Sequence, residues 1–110
     1  MIRHIVLVSL ADEPTAAARL LDAFAQIRRI ADRLPGVRSC SYGPSNSPEQ
    51  LERGYTHGLV LDFVDAAALH EYAVDPEHVE AGGQIAGAAN GGVDGLLVVD
   101  LEIDSAAVPA

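Results

Sequence analysis

Groups that can move protons are concentrated in one apolar stretch of the chain, residues 54–78. Three of the four histidines lie there, namely His57, His70 and His78, together with two of the three tyrosines, Tyr55 and Tyr72. A neutral imidazole can accept a proton near pH 7, and a phenol can donate a hydrogen bond to a carbonyl oxygen. A histidine–tyrosine pair in an apolar pocket therefore favours proton abstraction next to a carbonyl, which needs no metal or organic cofactor.

The break between two short helices would position Tyr72 and His78. Asp65 is a typical N-cap residue for a helix that begins at Ala66 and carries Tyr72. Asp75 followed by proline predicts that the chain restarts as a helix there, with His78 in its first turn. The two side chains flank this break, so a tight break would bring the phenol and the imidazole together. His70 falls on the other side of the first helix, and we interpret it as solvated.

The other segments complete a pattern of alternating strands and helices. Residues 55–63 alternate, which places His57 on the same strand face as Leu59, Leu61 and Phe63. The predicted strands are 2–10, 37–42, 55–63 and 96–103, the first helix is 15–34, and the broken second helix continues over 79–90. The order β-α-β-β-α-β predicts an α+β, ferredoxin-like fold, in which helices cover one face of a four-stranded antiparallel sheet.

The sheet face without helices is also predicted to be apolar. Ile5 and Leu7 alternate with His4 and Val6 on the first strand, and the last strand carries the run Leu-Leu-Val-Val. A bare apolar face of this size is typical of an interaction surface. We therefore predict a homodimer in which two sheets pack face to face.

Length, charge and cysteine content exclude several classes of protein. The 110 residues predict a single domain over 1–104 with a flexible tail at 105–110. Seven arginines, no lysine and a net charge of −9 argue against binding to nucleic acid or to an anionic membrane. Cys40 is the only cysteine, so we expect no internal disulfide and a cytoplasmic location. No ligand spacing predicts a metal site, and no glycine motif predicts a nucleotide site.

Several motifs together resemble the stress-responsive α/β-barrel (Dabb) family, from Met1 to about Ile103. They are the opening IRHIVL, LPGVR after the first helix, the SPE loop, GYTHGLVLDF, YAVDPEH and the closing LLVVDLEI. The resemblance implies a dimeric α/β barrel made of two four-stranded sheets. It also implies a small cavity in each subunit between the sheet and the helices. Some members resemble polyketide cyclases that use a tyrosine–histidine pair in this cavity.

Carried over to this chain, the family pattern assigns the catalytic pair to Tyr72 and His78. The expected substrate-binding residues line the cavity and comprise His4, Val6, Phe24, Ile27, His57 and Leu59. The chain departs from the family at Asp75, where a histidine is frequent, and after His78, where glycine and alanine replace bulkier side chains. These departures imply an added negative charge near the pair and a cavity that is wider or has a looser lid.

Three functions are consistent with these patterns. The first is a cofactor-independent enzyme that acts on a small apolar or carbonyl-containing compound, with His78 as the base and Tyr72 as the polarising acid. The second is a non-catalytic stress-responsive or ligand-binding barrel. The third is a cofactor-free monooxygenase, which is disfavoured because related barrels often use a tryptophan in the pocket and this chain has none.

Overall fold

The order of elements in the computed structural model, which describes residues 1–104, confirms the predicted ferredoxin-like fold. The chain forms β1 (Ile2–Val8), α1 (Ala16–Arg33), β2 (Val37–Pro44), β3 (His57–Phe63), α2 (Ala66–Val74), α3 (Pro76–Ala88), a 3-10 helix (Gly92–Gly95) and β4 (Leu96–Glu102). The tail predicted at 105–110 lies outside the described residues. None of the helices within 1–104 has the length and apolarity needed to cross a bilayer.

The four strands form one antiparallel sheet in the order β2-β3-β1-β4. β1 ends two residues earlier than predicted, because the chain leaves the sheet ladder at Ser9. There the backbone N–H donates to Gly95 O at 2.9 Å, and the carbonyl accepts from Asn90 N–H at 2.8 Å. These bonds attach the end of β1 to the turn before β4.

β2 runs to Pro44, two residues beyond its predicted end, because it stays paired with β3 as far as His57.

The hydrophobic core lies between the helices and one face of the sheet. Side chains from β1, β3 and all three α-helices meet there; the largest fully buried ones are Tyr72, Phe24, Phe63, Leu20, Ile27, Ile30, Leu59, Leu61 and Val8. Each fully buried side chain of this size stabilises the fold by about 1.5–3 kcal/mol relative to an exposed one. Because Tyr72 belongs to this core, the packing fixes the position of its phenol.

The opposite sheet face, called here the open face, lacks any covering element among the described residues. Ile5 and Leu7 of β1 are half-buried there, and Leu97, Val99 and Leu101 of β4 are 40%, 37% and 43% exposed. The apolar character predicted for this face is therefore present. It also contains one ion pair, in which Arg3 Nε and Nη2 donate to the two carboxylate oxygens of Asp62 at 2.8 and 2.9 Å.

Candidate functional site

The Tyr72 and His78 rings meet at the break between α2 and α3. Asp75 separates the helices, and its side chain accepts hydrogen bonds from the backbone N–H groups of Glu77 at 3.0 Å and His78 at 3.4 Å. The ring centroids of Tyr72 and His78 lie 4.2 Å apart, with 46° between the ring planes. The Asp-Pro helix restart predicted from the sequence therefore exists and brings the phenol and the imidazole into contact.

The hydrogen bond of His78 defines which ring nitrogen is available for chemistry. Nδ1 lies 3.1 Å from the backbone oxygen of Ala73. A carbonyl oxygen can only accept, so Nδ1 carries the proton and Nε2 of the neutral ring keeps its lone pair. Burial lowers the pKa of His78 below its ordinary value of 6.5, although the bond to Ala73 acts in the opposite direction. The imidazole is therefore neutral at pH 7 and presents a basic Nε2.

The Tyr72 hydroxyl has the complementary properties of a donor. Burial raises the pKa of Tyr72 well above its ordinary value of 10, and the nearby Cys40 adds to this effect. The phenol therefore stays protonated at physiological pH. Among the hydrogen bonds described for residues 1–104, none involves this hydroxyl, and the residue is only 1% exposed. The hydroxyl therefore keeps its donor proton for a molecule that reaches the core beside His78.

His4 extends the pair into a cluster of four rings. Its ring lies edge-on to Tyr72, with centroids 5.9 Å apart, and to Phe63 at 6.2 Å. His4 Nδ1 lies 2.6 Å from a carboxylate oxygen of Asp100, the residue opposite it on β4. The carboxylate favours the tautomer with a proton on Nδ1, which orients the imidazole ring. Asp100 was absent from the sequence prediction, and the only indication of its role is the register of β1 against β4.

The structure places His57 away from this cluster. His57 pairs with Val8 and lies four residues along β3 from Leu61, the residue opposite His4. Four residues of strand correspond to about 13 Å. His57 Nδ1 instead lies 3.0 Å from the Thr56 hydroxyl. The ring lines a separate cavity of about 620 Å³ with Leu7, Tyr42, Leu51, Tyr55 and Val60.

The four apolar residues expected to bind substrate lie in the core beside the ring cluster. Val6 is 7% exposed, Leu59 is 1% exposed, and Phe24 and Ile27 are fully buried. Contact of these side chains with a substrate stays a prediction. His70 is exposed on α2, in agreement with its interpretation as solvated.

Cys40 is a half-buried thiol on β2, on the helix side of the sheet. Burial raises the pKa of Cys40, so the side chain is a neutral thiol at physiological pH and a poor nucleophile. Within residues 1–104, no three histidine, cysteine or acidic side chains are grouped to hold a metal ion.

We expect Cys40→Ser to preserve both the fold and any turnover per folded molecule, because a neutral thiol has no covalent role in acid/base chemistry. Circular dichroism and kinetic assays of the variant against the natural protein measure this. Loss of turnover in a fully folded variant would instead assign a nucleophilic role to the thiol.

Comparison with known proteins places the chain among small barrel domains. The stress-response A/B barrel domain-containing protein HS1 of Arabidopsis thaliana is 29% identical over 101 residues, covering 90% of this chain and 86% of that protein. Olivetolic acid cyclase of Cannabis sativa is 24% identical over 81 residues, covering 74% and 79%. A dimeric ferredoxin-like protein of unknown function from Jannaschia sp. CCS1 superposes with a TM-score of 0.89 at 38% identity, covering 93% and 98%. The model of the stress responsive A/B barrel domain (Dabb) family matches residues 2–103, and the chain therefore belongs to this family.

Proposed function

We propose that the protein catalyses cofactor-independent acid/base chemistry on a carbonyl compound, with His78 as the base and Tyr72 as the polarising acid. The observation that carries this proposal is the Tyr72–His78 pair, whose ring centroids lie 4.2 Å apart. One partner has a basic Nε2 because Ala73 occupies its other nitrogen, and the other has a hydroxyl that remains protonated. An acid and a base of this kind in contact with each other suit the formation of an enolate.

The reaction begins with proton transfer from carbon. His78 Nε2 takes a proton from the carbon next to a substrate carbonyl and becomes an imidazolium. The electron pair moves to the carbonyl oxygen, and the Tyr72 hydroxyl donates a hydrogen bond to the resulting enolate. In a poly-β-keto substrate the enolate carbon then attacks a second carbonyl of the same molecule and closes a ring. The new alkoxide receives the proton from His78, which restores the neutral base.

The ring cluster supports an apolar or poly-β-keto substrate. Phe63 and His4 pack against Tyr72 and make its surroundings apolar. A similar protein is named as a cyclase, which supports ring closure as the outcome of the enolate step. His4 is held by Asp100 and is proposed to line the substrate site and not to act as the base, because His78 already supplies a basic nitrogen.

A second candidate is a barrel that binds an apolar ligand without converting it. One observation favours it: the relative HS1 is named only for its stress-response domain. A binding protein would need the hydroxyl of Tyr72 only to anchor its ligand. The two candidates therefore differ in whether the His78 base is needed.

The protein is also proposed to act as a homodimer joined through the open face. That face is apolar on β1 and β4, and the similar Jannaschia structure is described as dimeric. Pairing of two open faces would remove Leu97, Val99 and Leu101 from water.

The function is tested by offering a panel of β-keto thioesters in D₂O and following loss of the α-proton signal by NMR. The proposal expects the protein to accelerate exchange of at least one thioester above the buffer rate. Binding of a panel member without any acceleration would support the ligand-binding barrel instead.

A further inference from the structure

Asp75 caps the end of α2 and the start of α3, at the break next to His78. Its backbone N–H donates to Tyr72 O at 3.2 Å, which ends α2, and its carbonyl accepts from Val79 N–H at 3.0 Å, which begins α3. Its carboxylate Oδ1 also accepts from the backbone N–H groups of Glu77 and His78. The angle between the two helices, and so the position of His78 relative to Tyr72, depends on this residue.

Arg33 connects Asp75 to a different part of the fold. It lies in the last turn of α1, and its Nη2 is 3.0 Å from Asp75 Oδ1 and 2.9 Å from Oδ2. The same nitrogen lies 3.3 Å from Glu77 Oε1, in the first turn of α3. The Arg33 side chain is 46% exposed, so water screens the pair, and its contribution to stability is small. The Asp75 side chain is only 11% exposed, which is consistent with a fixed geometry.

We infer that Arg33 and Asp75 form a clamp that holds the α2–α3 break and thereby positions His78 against Tyr72. Asp75 sets the first turn of α3 through its cap, and Arg33 fixes the Asp75 carboxylate to the end of α1. This inference rests on the proposed role of His78 as the base, and neither clamp residue has to touch the substrate.

The clamp has an electrostatic consequence that can be measured at His78. The titratable groups around this ring are Tyr72 on α2, Asp75 and Glu77 at the break, and His4 on β1 with its partner Asp100 on β4. Burial is the main cause of the lowered pKa of His78; His4 lowers it further, whereas the Asp75 carboxylate raises it. Arg33 offsets the charge of Asp75. Removal of the Arg33 charge and removal of the Asp75 charge therefore shift the pKa of His78 in opposite directions.

The test is an NMR titration of the His78 Cε1–H signal, with parallel measurement of α-proton exchange on the β-keto thioester panel. Arg33→Gln leaves Asp75 unbalanced and is expected to raise the His78 pKa by roughly a few tenths of a unit. Asp75→Asn retains a good helix cap, leaves Arg33 unbalanced and is expected to lower this pKa by a similar amount. Both variants should exchange α-protons about tenfold more slowly, because His78 is less well placed.

Two further variants provide the controls. Arg29→Gln removes a cation from the same helix one turn earlier, where no ion pair exists within residues 1–104, and should leave the His78 pKa unchanged. Arg33→Lys keeps the charge and should keep the pKa close to its natural value. A His78 pKa that is the same in Arg33→Gln and in the natural protein, or that moves in the same direction in both clamp variants, would overturn the clamp. If the natural protein exchanges no thioester, the proposed function fails, while the titration still shows whether the charges of the clamp act on His78.

Discussion

Replacing His78 with alanine is expected to slow α-proton removal from a β-keto thioester by a factor of about 10²–10⁴, the usual cost of losing a general base. The physical reason is that the His78 ring lies 4.2 Å from the Tyr72 ring, whereas His4, the other imidazole of the cluster, lies 5.9 Å from it and is held by Asp100. Single-turnover kinetics in D₂O measure the chemical step directly. His70→Ala is the matched control, since His70 lies on the exposed side of α2 and should retain the full rate.

Tyr72→Phe removes only the hydroxyl and is expected to slow the same step by about 10²–10³, the usual cost of losing an oxyanion donor. The ring itself stays in the core, so the variant should fold. Because acid and base act on one step, the double variant should lose less than the product of the two single losses. Lower melting temperatures with unchanged rates per folded molecule would mean that the two residues only brace the helix break.

Introducing a charge at Val99 is expected to abolish the homodimer. Val99 lies on the open face between Leu97 and Leu101, and burial of an unpaired carboxylate costs several kcal/mol. A penalty of about 4 kcal/mol weakens association by a factor on the order of 10³. Sedimentation of Val99→Asp at micromolar concentration should therefore give the mass of one chain, 11.5 kDa, whereas the natural protein is expected to give twice that mass.

Val98→Asp is the control for this experiment. Val98 is the neighbour of Val99 on β4 and is 53% exposed, but its side chain points to the opposite face of the sheet. The same charge there should leave the dimer intact. A natural protein that sediments as a single chain would contradict the proposed role of the open face, and equal effects of the two variants would show that the charge acts through the fold.

Local sequence rules were sufficient to predict the helix break. An aspartate before a helical run accepts backbone N–H groups, and proline fits the first helical position because its missing N–H has no partner there in any case. Asp65 and Asp75 both cap helices as expected, with Asp65 Oδ1 accepting from Ala68 N–H at 2.9 Å. The contact between Tyr72 and His78 follows from this local geometry, because only six positions separate them.

Contacts between distant segments could not be predicted in the same way. His4 and Asp100 are 96 positions apart, and Arg33 and Asp75 are 42 positions apart. These pairs depend on strand register and on helix packing, which residue periodicity alone does not define. His57 illustrates the same limit. Alternation predicted which face of the strand carries His57. Only the pairing of β3 with β1 shows how far His57 lies along the strand from the ring cluster.

The most direct test of the acid/base account is α-proton exchange by the His78→Gln variant. The glutamine side chain is similar in size to histidine and keeps an amide that can donate a hydrogen bond, but it has no basic nitrogen. The account predicts that folded His78→Gln exchanges the α-protons of a reactive β-keto thioester no faster than buffer, while the natural protein exchanges them well above that rate. A folded glutamine variant that exchanges them as fast as the natural protein would contradict the assignment of His78 as the base.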